Sequence, residues 1–284
     1  MKILITGAGG LVGGATIEHC LSLGDEIVAA KREDLDIASK ESVFSFLQRE
    51  KPDSVINCAA MTDVDGCESN LEKNYAANAY GVENLALGCR AVGANLVTIS
   101  TDYVFDGAHD GFYTQRDDPN PISSYGKAKL EGERLAQSSL ARSIVVRTGW
   151  IFGRNGRNFL SKVPELLLIE GKSIKAISDA FGTPTFAPDL AARLRELAEA
   201  DLPGIYHVTN SGDGTTYADF ARTVPGVNIE QIENIPGSAL SRPAPRPLNS
   251  KLRCLVSEKL GFAPLPHWEH ALRSYVESEI KKRD

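Results

Sequence analysis

The sequence predicts an α/β protein, a doubly wound parallel sheet followed by a smaller mixed α/β region. Two observations carry that expectation. Short runs rich in Val and Ile alternate with segments of helical periodicity through residues 1–149. A glycine-rich turn, Gly7-Ala8-Gly9-Gly10-Leu11-Val12-Gly13, joins the first such run to the first helical segment.

Strands are expected at 2–6, 26–30, 54–58, 95–100 and 143–148. They are short and apolar, as strands covered on both faces are. After the turn, Ile17, Leu21 and Leu23 recur at helical spacing. Further helices are expected at 39–50, through much of 67–92, and at 126–138. Such alternation gives right-handed crossovers and a parallel sheet, with ligands bound beyond the carboxyl ends of the strands. The second half is less regular. Helices are expected at 155–170, from Pro188 onward, and at 215–223, 250–260 and 268–282, with a strand at 204–209. Three prolines within 242–247 exclude helix or central strand there. The expected domains are 1–149, with a return of the chain around 185–200, and 150–284.

The glycine turn is expected to be a phosphate site rather than a mere turn. It lies between strand and helix, where the first N–H groups and the positive helix end can receive a pyrophosphate. Gly7 permits the turn, Gly10 admits phosphate without a Cβ, and Gly13 lets helix and strand pack closely.

Composition narrows the partners. The chain has 284 residues, 42% hydrophobic and 24% charged, with a net charge of −6. A nucleic-acid partner would need a basic face, so none is expected. The five cysteines are scattered, with no C-x-x-C pair, so neither a disulfide framework nor a zinc ribbon is expected. No ligand set for a metal stands out, so none is expected. No signal peptide or membrane-length apolar run is read, and a cytoplasmic location is the expectation.

Reactive groups fall in the loops after the strands. Thr101 and Asp102 follow the 95–100 strand, and Trp150 follows the 143–148 strand. Tyr125 and Lys129 stand four residues apart at a helix start, on one face. An ammonium beside a phenol lowers the phenol's pKa, which suits it to give a proton to a carbonyl oxygen as hydride reaches the carbon. Thr101 could hold that oxygen.

These motifs resemble the dTDP-4-dehydrorhamnose reductase family of extended short-chain dehydrogenases/reductases, which have a Rossmann-type sheet. The stretches that carry the resemblance are Gly7 to Gly13, Asp34-Leu35-Asp36-Ile37, Asn57 to Thr62, Asn78-Ala79, Ser100 to Gly107, Tyr125 to Lys129, Arg147-Thr148-Gly149-Trp150, Gly182-Thr183-Pro184-Thr185 and Arg242-Pro243. Sugar-nucleotide dehydratases place Asp-Glu after the active-site Thr, whereas this chain has Asp102-Tyr103. The resemblance implies a reduction of dTDP-4-dehydro-L-rhamnose to dTDP-L-rhamnose. Tyr125 would be the proton donor, Lys129 its tuner and a ribose ligand, and Thr101 the oxygen-holding hydroxyl. The cofactor would lie along Gly7, Gly10, Leu11, Val12, Gly13, Cys58, Ala59, Ala60, Met61, Thr62 and Asn78, with Asp36 and Ile37 at the adenine. Asp36 could equally cap the next helix. Asp102 and Trp150 would line the sugar pocket. For the substrate diphosphate, Arg242 is favoured over Arg154, Arg157, Lys162 and Arg246, with Asn158 at an expected helix start. A homodimer is a family expectation. Two alternatives stand beside this reading: a different 4-keto sugar nucleotide, or a non-enzymatic NADP-binding subunit similar to methionine adenosyltransferase β.

An NAD-specific site has an acidic residue at the end of the second strand. Here Lys31 and Arg32 stand there and would attract a 2′-phosphate. NADPH is therefore the expected cofactor, with NADH use left open. Catalytic efficiencies measured with both dinucleotides should favour NADPH; a strong NADH preference would refute the assignment.

Overall fold

The structure, a computed structural model, describes residues 1–280. Its centre is a six-stranded sheet in the spatial order Gly204–His207, Ser143–Thr148, Asn95–Thr101, Ser54–Asn57, Lys2–Thr6, Glu26–Ala30. Every neighbouring pair is parallel. The expected first five strands are all present, and the alternation that predicted them is why. Side chains on successive residues point to opposite faces. Leu4 packs on one side with Val43, Leu47 and Leu85, from the helices Lys40–Glu50 and Gly81–Val92. Ile3 and Ile5 pack on the other with Leu190, Leu194 and Leu197, from the helix Ala187–Ala200. Both faces are covered, so the strands carry apolar residues throughout.

A second core is built on Phe152, Leu160, Val163, Phe220, Trp268 and Leu272. It gathers the helices Phe159–Leu168, Tyr217–Arg222 and Trp268–Tyr275 beside the sheet's carboxyl edge. Small two-stranded pairings stitch it together, including Ile174–Ile177 with Ile232–Ile235. The chain re-enters the main layer at Ala187–Ala200 and adds the sixth strand at Gly204–His207.

Several expectations need correction. The 67–92 segment is broken at Asn70, whose side chain accepts from Lys73 N and starts a new helix there. It passes through a π-helical turn, Ala76–Tyr80, before Gly81–Val92. The 155–170 helix begins only at Phe159, because Asn155 adopts a left-handed φ of 63°. At 215–223, Thr215 and Thr216 pair antiparallel with Phe181–Gly182 before the helix starts. The expected 250–260 helix is absent apart from a short turn at Glu258–Leu260. Leu252, Leu255, Val256 and Leu260 do carry helical spacing. Their backbone is instead spent on long-range bonds: Ser250 N donates to Phe181 O, Tyr113 N to Lys251 O, and Arg253 N to Tyr113 O. Tertiary pairing overrides local periodicity here. The 268–282 helix runs as Trp268–Tyr275 and a π-helical turn to Ile280; its last two residues lie outside the described ones.

The glycine turn is held by contact as well as by conformation. A methyl group at Gly13 would lie 2.2 Å from the Gly7 carbonyl oxygen. Gly13→Ala should therefore cost roughly 1–3 kcal/mol of stability, read as a lower midpoint in thermal unfolding. An unchanged midpoint would contradict the packing described.

Candidate active site

Because all six strands run in one direction, their carboxyl ends share an edge. The loops at that edge line one cleft of about 1070 Å³. Gly7, Gly10, Leu11, Val12 and Gly13 line one end, with Lys31, Arg32, Asp36 and Ile37 beyond them. Cys58, Ala59, Ala60, Met61 and Thr62 pass along its side, and Thr101, Asp102, Tyr125, Lys129 and Trp150 close the other end.

The turn is shaped to receive a ligand. Gly7 has φ +64°, and a Cβ there would strike the Cys58 carbonyl carbon at 2.7 Å. Gly9 has nothing within 4 Å of the Cβ position, so its outer side is open. Gly10 caps the Leu11–Ser22 helix without a side-chain hydrogen bond. Asp36 does not cap the following helix. Ser39 does, accepting from Ser42 N at 3.2 Å, while Asp36 accepts from Ala38 N at 3.1 Å and faces the cleft.

Asn78, expected along the cofactor, is not among the residues that line the cleft. It is fully buried, accepts from Met61 N at 3.1 Å and donates to Met61 O at 2.9 Å. It shapes the cleft wall from behind rather than lining it.

Tyr125 and Lys129 stand on the helix Ser124–Ser139, whose first turn is capped by Ser123 accepting from Gly126 N at 3.1 Å. Gly126 is needed there, since a Cβ would meet the Tyr103 carbonyl oxygen at 2.2 Å. The Tyr125 ring meets Tyr103 edge-on, centroids 6.2 Å apart. Lys129 is buried and its Nζ donates to the Ile99 carbonyl at 2.7 Å. Burial brings the lysine down to about 8, against the opposing pull of Glu133 and Cys58. Burial also raises the Tyr125 phenol above its ordinary value, with Thr101 pulling the other way. This reverses the direction expected from the Tyr–Lys spacing. The ammonium is engaged by Ile99, and the loss of hydration around the phenol outweighs any attraction.

The end of the cleft at Asp102 and Trp150 is polar and tightly fitted. Asp102 is 3% exposed and accepts from the Thr101 hydroxyl at 3.0 Å. Burial pushes its carboxyl up to about 6, with the nearby Ser250 and Thr101 hydroxyls pulling the other way. Gly149 makes room for it, because a Cβ would fall 2.3 Å from the Asp102 carboxyl carbon. Trp150 holds a left-handed φ of 51°, stacks on Tyr217 at 4.0 Å between centroids, and donates from Nε1 to Ser250 Oγ at 3.2 Å. Gly182 leaves space for the indole. Tyr217 and Ser250 were not singled out from the sequence, although Trp150, Asn158 and Arg242 had already brought the second half to this pocket.

Asn158 lines the cleft, but its amide is committed. Its Oδ1 accepts from Ser161 N at 3.0 Å and its Nδ2 donates to Ile151 O at 2.8 Å. Arg246 is paired with Asp65 at 2.8 Å, and Lys162 with Glu165 at 3.0 Å. Arg242 is exposed and lines the cleft. Among the described residues, no group of three His, Cys, Asp or Glu side chains is placed to hold a metal ion. No helix among them is long and apolar enough to cross a membrane.

The family described as RmlD substrate binding domain matches residues 1–280. The chain is 34% identical to the dTDP-4-dehydrorhamnose reductase of Mycolicibacterium smegmatis, over 98% of this chain and 86% of that one. The chain belongs to the dTDP-4-dehydrorhamnose reductase family. Within the family's range of relatives, the spore coat polysaccharide biosynthesis protein SpsK of Bacillus subtilis is 36% identical, over 100% of this chain and 99% of that one. Among solved structures, the Bacillus anthracis dTDP-4-dehydrorhamnose reductase in complex with NADP superposes with a TM-score of 0.91. It is 32% identical, with 97% of this chain and 98% of that one covered.

Arg242→Ala should raise KM for a nucleotide sugar several-fold while changing kcat little, the pattern of lost uniform binding. An unchanged KM in steady-state kinetics would remove Arg242 from the substrate's phosphate site.

Proposed function

We propose that this chain reduces the 4-keto group of a dTDP-4-keto-6-deoxy sugar, converting dTDP-4-dehydro-L-rhamnose to dTDP-L-rhamnose with NADPH. The chain is an NAD(P)-dependent oxidoreductase of its family. The finer assignment leans on one observation: Thr101, Tyr125 and Lys129 border the same cleft as the open glycine turn and Lys31-Arg32.

The dinucleotide fits that cleft on physical grounds. The turn presents glycine backbone where a Cβ at Gly9 would meet nothing, and helix N–H groups lie behind it. Lys31 and Arg32 are exposed at the end where a 2′-phosphate would rest, and the NADP-bound relative supports that choice. Ala60, Met61 and Thr62 would pass beside the dinucleotide, and Asp36 and Ile37 would meet the adenine. When bound, a reduced nicotinamide supplies hydride.

The chain's own groups handle the proton and the sugar. Burial keeps Tyr125 protonated at neutral pH, the state a proton donor requires. Thr101 would steady the carbonyl oxygen as negative charge grows on it. Lys129 would offset the phenolate left after proton transfer and hold the nicotinamide ribose. Asp102 and Trp150 would line the sugar, and Arg242 would take the diphosphate. Asn158 would act there only through the helix start it caps.

The deciding assay follows NADPH oxidation with enzymatically prepared dTDP-4-dehydrorhamnose and a panel of other 4-keto sugar nucleotides. Turnover on the dTDP sugar supports the reading, and turnover only on another sugar nucleotide shifts the substrate. Absence of turnover on all of them, with capture of a partner enzyme, would favour a regulatory subunit instead. Tyr125→Phe should lower kcat by about 10²–10⁴-fold. Activity should also fall as pH rises through about 8, where Lys129 loses its proton. A flat profile from pH 6 to pH 10, within roughly twofold, would exclude that role for the lysine.

A further inference from the structure

Behind Lys129 lies a buried charged cluster that the proposed reaction does not use. Glu133 is one helical turn beyond Lys129, with 3% of its side chain exposed. Arg147, on the strand Ser143–Thr148, is 4% exposed and holds it with a fork. Nη2 donates to Oε2 at 2.7 Å, and Nε reaches Oε1 at 3.0 Å. Ser100, on the neighbouring strand, donates to the same Oε1 at 2.5 Å. Ser100 and Arg147 are direct register partners, so the carboxylate bridges two strand ends at once.

The sequence neighbours of these anchors give the cluster its meaning. Ser100 directly precedes Thr101 and Asp102, and Arg147 lies three residues before Trp150. Glu133 itself shares a helix with Tyr125 and Lys129. One carboxylate therefore joins the three elements that carry the proposed chemistry. We propose that Glu133 is the positioning residue of this site, fixing the Thr101 and Trp150 strand ends against the Tyr125 helix and setting its negative charge behind the Lys129 ammonium. The inference rests on the roles proposed above for Tyr125 and Lys129.

A bond of this kind is costly unless complete. An isolated buried carboxylate is strongly disfavoured, and removing one partner leaves the other charge uncompensated. Three donors satisfy Glu133 here. The charges around Lys129 can be named by element. Glu133 comes from its own helix and raises the lysine's pKa; the Cys58 thiol, at the end of the Ser54–Asn57 strand, is pushed up to about 12 by burial and stays neutral. Tyr125 stands one turn before it. Arg147 lies behind Glu133, and His207 is its register partner on the next strand, where burial, helped by the Arg147 charge, holds the imidazole down at about 4. Without the Glu133 charge, Lys129 loses its negative neighbour and the buried Arg147 guanidinium is left uncompensated.

The test compares kcat–pH profiles of the full chain with NADPH and its sugar nucleotide. Glu133→Gln preserves shape and removes charge. It should lower kcat about tenfold and move the alkaline limb down by about one pH unit, with KM for the sugar nucleotide changed less than about twofold. The double variant Glu133→Leu, Arg147→Met leaves no uncompensated charge behind, and because the negative neighbour of Lys129 is still missing it should also move the limb down by about one pH unit. It also keeps the test open should Glu133→Gln fail to fold. A lower kcat with an unmoved limb, or a wild-type profile, would overturn the inference. Lys129→Met and Tyr125→Phe serve as controls. If those two remain active, the proposed function fails; if they are inactive and the Glu133 variants leave the limb in place, only the positioning role fails.

Discussion

The parallel register of the central sheet is the constraint on which the site depends. With all six strands aligned, the segments after Thr6, Asn57, Thr101 and Thr148 emerge at one edge. No single loop makes the cleft. The glycine turn, the Cys58–Thr62 segment, Thr101-Asp102 and Gly149-Trp150 become neighbours because the crossovers leave them no other place. Buried polar ties keep that edge in register. Asn57 accepts from Thr6 at 2.6 Å and donates to Thr98 at 3.0 Å, linking three adjacent strands just below the cleft.

Close packing turns this edge into a shaped pocket. Gly13 admits the Gly7 carbonyl, Gly126 admits Tyr103, Gly149 admits Asp102, and Gly182 admits Trp150. Desolvation follows from the same packing and sets the protonation of the groups that line the pocket. It raises Tyr125 and Asp102 and lowers Lys129. Burial favours the neutral form in each case, so charge at this end of the cleft has to be supported by partners. The Glu133–Arg147 pair sits where such support for Lys129 would come from.

Much of this was legible in the sequence. Strands covered on both faces announce themselves as short Val- and Ile-rich runs, and the glycine spacing identified the turn between strand and helix. That Tyr125, Lys129 and Thr101 share one cleft was legible because a spacing of four at a helix start and a strand-end loop both lead to the sheet's carboxyl edge. The illegible parts share one physical cause, dependence on distant partners. Asn78 carries no local sign that its amide will close on Met61. Residues 250–260 have helical periodicity, yet Tyr113 and Phe181 capture their backbone. Ser250 and Tyr217 come to Trp150 from far along the chain. The direction of the Tyr125 shift was missed because spacing reveals a neighbouring charge but not the loss of water around the phenol.

The most direct measurement is the fate of a label. NADPH carrying deuterium at C4 of its nicotinamide, on the transferable face, should be incubated with the purified chain and dTDP-4-dehydrorhamnose, and the product sugar examined by NMR. The account requires deuterium at C4 of the sugar, one atom per turnover, with Tyr125→Phe giving almost none. Label appearing at another carbon, or product formed without label, would contradict it.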